Sequence, residues 1–79
     1  MGYPASLDRP SKQALFDNLG HDEVLALKVD AAVRASLQDD WRSNPMKTRR
    51  VRNAIAAALD GHDGLVESTF DLVKNQNDY

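Results

Sequence analysis

The sequence predicts an all-α fold, a compact bundle of three to four short helices. Apolar residues recur at intervals of three and four in several segments, which is the period of a helix with one buried face. Glycine, proline and helix-capping residues separate these segments at short intervals, and no strand is evident. Several amphipathic helices joined by short turns can bury their apolar faces only by packing together, so we expect a bundle.

Length and composition limit the possible functions. The 79 residues allow one domain at most, and the absence of cysteine excludes disulfides and thiolate metal sites. The net charge of −2 argues against a general nucleic-acid binder, which would usually be basic. No apolar run approaches the ~20 residues that cross a bilayer, and the N-terminus lacks the apolar core of a signal peptide. We therefore expect a cytoplasmic protein without membrane association.

The first segments contain one weak helix. Residues 1–10 carry Gly2, Pro4 and Pro10 without helical period, and we expect a flexible leader. A single helical domain is expected over residues 11–76, with a frayed C-terminus at 77–79. Ser11 is the expected N-cap of a first helix that ends near Leu19.

The second helix is predicted more strongly. Asp22 is its expected N-cap, and no glycine or proline interrupts the segment that follows. Its apolar residues recur at helical spacing: Leu25, Val29, Ala32, Val33 and Leu37. We place its charged residues on the solvent side: Glu23, Lys28, Asp30 and Arg34. Asp30 and Arg34 form a favourable i,i+4 pair.

Two further helices complete the bundle. Asn44 caps the third helix and Pro45 occupies its first position, where no amide donor is needed. We expect this helix to end near Asp60, with an apolar stripe of Val51, Ile55, Ala58 and Leu59. Its other alanines favour helix and permit close approach of a neighbour: Ala54, Ala56 and Ala57. A fourth helix over about 65–75 has a stripe of Val66, Phe70 and Val73.

Basic side chains cluster at the start of the third helix, and we single them out as a contact to DNA or to an acidic partner: Lys47, Arg49, Arg50 and Arg52. Cations at a helix start interact unfavourably with the helix dipole, so their presence suggests contact with phosphates or with an acidic partner. At about 100° per residue, however, the three arginines spread over roughly 160° of the helix surface. A solvated face and a contact surface therefore both remain open as interpretations.

The remaining chemistry-bearing residues favour structural roles. Trp41, Asn44 and Pro45 are predicted to be a structural anchor, although a tryptophan can also stack on bases. His21 and His62 lie in turns beside aspartates, and neither has the converging ligands that a metal site needs. No phosphate-binding loop and no paired nucleophile and base are evident. We expect no catalytic residue, no metal ligand and no cofactor in this chain.

Three stretches resemble a known family in their order and spacing: DEVLALKVDAAVRASLQDDWRSN, then KTRRVRNAIAAAL, then FDLVKNQNDY. The Asp40-Trp41 pair followed by Asn44, the segment from Val51 to Ile55, and the terminal residues 72–76 carry the similarity. The chain from about Leu15 onward resembles the C-terminal helical region of the restriction (R) subunit of type I restriction–modification enzymes.

The resemblance implies a non-catalytic module of a larger motor nuclease. In that family the C-terminal helical region is thought to support docking of the R subunit onto the methyltransferase core. The family's nuclease and ATP-binding motifs are absent from this sequence, so neither activity transfers to these residues. The implied partner is the modification-subunit complex, and self-association through an apolar face is a further possibility. The alternative is a DNA-contacting helical module that uses the basic start of the third helix.

Overall fold

The structure is a computed structural model that describes residues 2–79. It contains α1 (Pro10–Asn18), α2 (Glu23–Ser36), α3 (Pro45–Ala58) and α4 (Val66–Asn75), with a 3-10 turn (Asp63–Leu65) leading into α4. No strand occurs within this range, so the predicted all-α bundle is confirmed. The Cα radius of gyration is 11.8 Å, close to the roughly 11.6 Å expected for a compact domain of this length.

The four helices pack in a closed ring around one core. α2 contacts α1 and α3, and α4 contacts α3 and α1. The predicted stripe of α3 is buried, as is that of α4. The core contains fourteen residues from all four helices and from the loops between them: Leu15, Leu19, Leu25, Ala26, Val29, Val33, Trp41, Val51, Ile55, Ala58, Leu59, Val66, Phe70 and Val73.

Two predicted helix starts are confirmed by their capping geometry. Asp22 Oδ1 accepts a hydrogen bond from the Leu25 amide at 3.0 Å at the start of α2. Asn44 Oδ1 accepts from the amides of Met46 and Lys47 at the start of α3, at 3.1 and 3.3 Å. Pro45 takes the first helical position there. In both cases the cap satisfies amides that the helix itself leaves without acceptors.

The predicted start of α1 is wrong. The helix begins at Pro10, with Arg9 at the N-cap and no side-chain cap from the flanking residue. Ser11 lies inside the first turn and is buried, and its amide donates to Asp78 Oδ2 at 3.1 Å. Proline favours the first helical position, and with Pro10 there the N-cap is Arg9, two residues before the predicted Ser11. A carboxylate from the opposite end of the chain then supplies the cap.

Both chain ends contact the bundle. Leu7, in the segment expected to be a flexible leader, is 1% exposed, and its carbonyl accepts from Gln13 Nε2 at 2.8 Å. Tyr79, in the expected frayed C-terminus, donates its hydroxyl to Asp30 Oδ1 at 2.5 Å. The packed structure therefore extends beyond residues 11–76 on both sides, and the mobility of the two ends stays a prediction.

Candidate functional site

Two of the four basic residues at the start of α3 have acidic partners within the chain. Lys47 Nζ lies 2.6 Å from Asp40 Oδ1 and 2.7 Å from the Asp39 carbonyl. Arg52 pairs with Glu67 of α4, with Nε 3.0 Å from Oε1. Because these contacts pair the two cations with carboxylates, Lys47 and Arg52 contribute less to a surface for an external anion than the sequence suggests.

Arg49 and Arg50 differ from those two. Both are exposed, and neither side chain has an ion pair or hydrogen bond to any residue in 2–79. Arg50 lines the concave surface between α2 and α3, whereas Arg49 does not. The structure therefore separates the predicted basic cluster into two paired cations and two unpaired ones, of which one faces a groove.

We call that concave surface the α2–α3 groove. It has a volume of about 670 Å³ and takes residues from one face of each helix: Lys28, Ala32, Ala35 and Ser36 from α2, and Arg50, Asn53, Ala54, Ala57 and Ala58 from α3. Within each helix these residues recur largely at spacings of three and four, so each set forms one helical face. The lining contains five alanines and two cations but no carboxylate.

A smaller concavity adjoins the groove at the start of α3. It has a volume of about 250 Å³ and is lined by Gln38, Asn44, Met46, Lys47 and Arg50. Met46 is 84% exposed, which makes it the most exposed large apolar side chain among residues 2–79. Arg50 borders both surfaces, so the two form one continuous feature along α3.

A buried polar cluster lies elsewhere on α2. Asp30, which we expected on the solvent side, is only 5% exposed, so that prediction is wrong. Its carboxylate accepts hydrogen bonds from Arg9 Nη2 at 2.9 Å, Arg34 Nε at 3.3 Å and the Tyr79 hydroxyl. The predicted Asp30–Arg34 pair is confirmed. Arg9 and Tyr79 cover the carboxylate from the two chain ends, which sequence spacing within α2 could not reveal.

This cluster shifts the pKa values of the C-terminal residues. Burial, together with the hydrogen bond to Asp30, raises the pKa of Tyr79 far above its ordinary value. For Asp78, burial alone would raise the pKa, but hydrogen bonds from Ser11 and the charge of Arg34 outweigh it and lower the pKa. Both shifts favour the protonation states that hold the C-terminal residues on α1 and α2 at neutral pH. The cluster is therefore best explained as structural.

The tryptophan and the histidines have local structural contacts. Trp41 is buried in the core and the Arg42 guanidinium lies 4.6 Å from its ring centroid, so the ring is not open to stack on a base. His21 stacks on Phe16 with 5.0 Å between ring centroids, and its Nε2 lies 3.5 Å from Asp17. Within residues 2–79, no group of three or more His, Cys, Asp or Glu side chains could hold a metal ion.

Comparison of the chain with protein-family models, with curated proteins and with solved structures gives no match. Among the helices of residues 2–79, none is both long and apolar enough to cross a bilayer.

Proposed function

We propose that this chain is a non-catalytic helical assembly module that works in the cytoplasm. It docks a motor and nuclease subunit onto the DNA methyltransferase core of a type I restriction–modification system, and its partner is the modification-subunit complex. The resemblance of the sequence to the C-terminal region of the R subunit supplies this partner. The chain itself performs neither nuclease nor ATPase chemistry.

The observation that carries the proposal is the α2–α3 groove. It leaves an alanine-rich face of two helices in contact with solvent, next to the exposed Met46. A face of small apolar side chains shared by two helices can accept the apolar stripe of a partner helix. The ionisable residues clustered around Asp30 are instead saturated by contacts within the chain.

The residues that carry the resemblance have consistent roles in the fold. Trp41, Val51 and Ile55 lie in the core, and Asn44 caps α3. These four residues therefore support the shape of the bundle and leave its surface free for a partner.

A titration tests the proposal. The folded chain is added to a purified complex of modification and specificity subunits, and association is followed by sedimentation velocity. We expect a complex to form, and a DNA methyltransferase of an unrelated class serves as the control. No association at high micromolar concentration would contradict the proposed partner.

The DNA-contacting alternative is favoured by one observation. Arg49 and Arg50 are exposed and unpaired within residues 2–79, and both lie in the first two turns of α3. The contacts of Lys47 with Asp40 and of Arg52 with Glu67 weigh against it, because they neutralise half of the basic set.

A further inference from the structure

The geometry points to the α2–α3 groove as the docking surface for a single amphipathic helix of a partner protein. That helix presents an apolar stripe to the groove floor and carboxylates along its edges. The inference rests on the proposed function and specifies both the surface and the chemistry of what it binds.

The floor of the groove is lined by small side chains. Ala32 and Ala35 of α2 face the same opening as Ala54 and Ala57 of α3. Helix axes can approach to about 8 Å when the contacting side chains are this small. The hydroxyl of Ser36, the polar side chain of α2 in the floor, already donates to the Val33 carbonyl at 2.8 Å. A partner helix can therefore cover the floor without leaving this hydroxyl unpaired.

The charges at the groove indicate what its occupant carries. Six of the ten lysines and arginines pair with carboxylates inside the chain: Arg9, Lys12, Arg34, Lys47, Arg52 and Lys74. Arg42 instead donates to the carbonyls of Lys74 and Gln76.

The remaining three cations have no hydrogen-bond or ion-pair partner in the described chain: Lys28, Arg49 and Arg50. Two of these, Lys28 and Arg50, line the groove, one on each helix. An apolar floor between two unpaired cations is complementary to an apolar helix with acidic edges.

A second copy of this chain fits the groove less well. A two-fold contact brings the same surface of both copies together. Lys28 and Arg50 of one copy would then lie near those of the other, and no carboxylate lines the groove to separate them. Duplex DNA would satisfy the cations, but it offers no apolar stripe for the alanine floor. The experiments below therefore also test self-association and binding of duplex DNA.

Matched variants of this chain, titrated against the modification-subunit complex, test whether the groove is the docking surface. Ala35→Trp fills the groove, whereas Ala5→Trp places the same side chain on an exposed position of the N-terminal segment, outside it. Arg50→Glu reverses a charge at the groove. Arg49→Glu reverses the charge of the adjacent arginine, which is also unpaired but lies outside the groove. We expect the two groove variants to weaken binding at least ~10-fold and the two controls to change it by less than ~2-fold, as for loss of a central rather than a peripheral contact. Circular dichroism verifies that all four variants fold.

A second probe is independent of the proposed partner. Two synthetic amphipathic helices share one leucine and alanine stripe, and one has glutamates and the other lysines along its edges. Each is titrated into isotope-labelled chain and followed by amide chemical shifts. We expect the glutamate helix alone to shift amides of Ala32, Ala35, Ala54 and Ala57.

The two experiments separate failure of the inference from failure of the proposed function. If the complex binds and both groove variants bind like the unmodified chain, the groove inference is overturned and the assembly role stands. If the complex does not bind but the glutamate helix shifts the groove amides, the assembly partner is wrong and the groove inference stands. If the complex does not bind and the glutamate helix leaves those amides unshifted, both fall. Groove shifts produced by a DNA duplex or by self-association, and not by the glutamate helix, also overturn the inference.

Discussion

Replacing Asp30 with asparagine tests whether the buried carboxylate joins the two chain ends to the bundle. Asp30 accepts hydrogen bonds from Arg9, Arg34 and Tyr79, which come from the N-terminal segment, α2 and the C-terminal residues. Asparagine has nearly the same shape but carries no charge, and only its oxygen can accept. The substitution therefore removes the ion pairs without opening a cavity.

The expected cost follows from the exposure of the partners. Removing one member of a fully buried ion pair costs about 3–5 kcal/mol. The side chains of Arg9 and Arg34 are 32% and 33% exposed, so water can compensate part of that loss. The asparagine oxygen also retains one hydrogen bond. We expect Asp30→Asn to lower the free energy of unfolding by about 2–3 kcal/mol, since a hydrogen bond to a charged group contributes about 1.5–3 kcal/mol.

Urea denaturation measures this loss. Trp41 is buried in the core and is the only tryptophan, so its fluorescence reports unfolding, and circular dichroism provides a second probe. Asp71→Asn is the matched control, because Asp71 and Lys74 form an exposed pair at 3.4 Å that should contribute only about 0–1 kcal/mol. A midpoint shift for Asp30→Asn no larger than for Asp71→Asn, at unchanged urea dependence, would refute the reasoning.

Three further predictions follow from the structure. Asn44→Ala removes both capping bonds at the start of α3 and should cost about 1 kcal/mol in urea denaturation; a cost near zero would contradict the capping role. The raised pKa of Tyr79 means that its phenol stabilises the fold below pH ~10 and that this contribution is lost as pH rises through the folded-state value. Tyr79→Phe should therefore flatten the alkaline loss of stability followed by circular dichroism, and an unchanged profile would count against the buried phenol. If the basic start of α3 contacts DNA, duplex binding should weaken steeply with salt, and the dependence should vanish when four residues are replaced by alanine: Lys47, Arg49, Arg50 and Arg52. Undetectable duplex binding at low salt, or binding that persists in the quadruple variant, removes the DNA alternative.

The sequence predicted the elements whose signals are local. Asp22 and the Asn44-Pro45 pair mark helix starts through bonds that span two or three residues, and the structure has those bonds. Periodicity likewise identified the buried stripes of α3 and α4. Pro10 marks the start of α1 locally, but the carboxylate that caps it, Asp78, is 67 residues away from Ser11 along the chain. No local pattern encodes such a contact.

The candidate site was less predictable for the same reason. Four basic residues close in sequence left both a solvated face and a contact surface open, and Glu67 reaches Arg52 only because α4 packs on α3. The alanines of α3 were correctly expected to permit close approach of a neighbour. Which of them face α2, and which remain open, depends on the packing of the two helices. Lys28 lacked any distinguishing signal, since it becomes notable only through its lack of a partner and its position at the groove.

The Asp30 cluster and the α2–α3 groove lie on opposite faces of α2, which separates stability from binding. At about 100° per residue, Asp30 and Arg34 lie within one turn of each other on the face toward α1. On the same period, Lys28, Ala32 and Ala35 are rotated by roughly 140–160° from Asp30. A substitution at Ala35 therefore does not reach the contacts that hold the chain ends, and one at Asp30 does not reach the groove. Because the faces are independent, a stability change in Asp30→Asn and a binding change in Ala35→Trp should add without coupling when the two are combined. Strong coupling in the double variant would mean that the packing of the chain ends controls the shape of the groove.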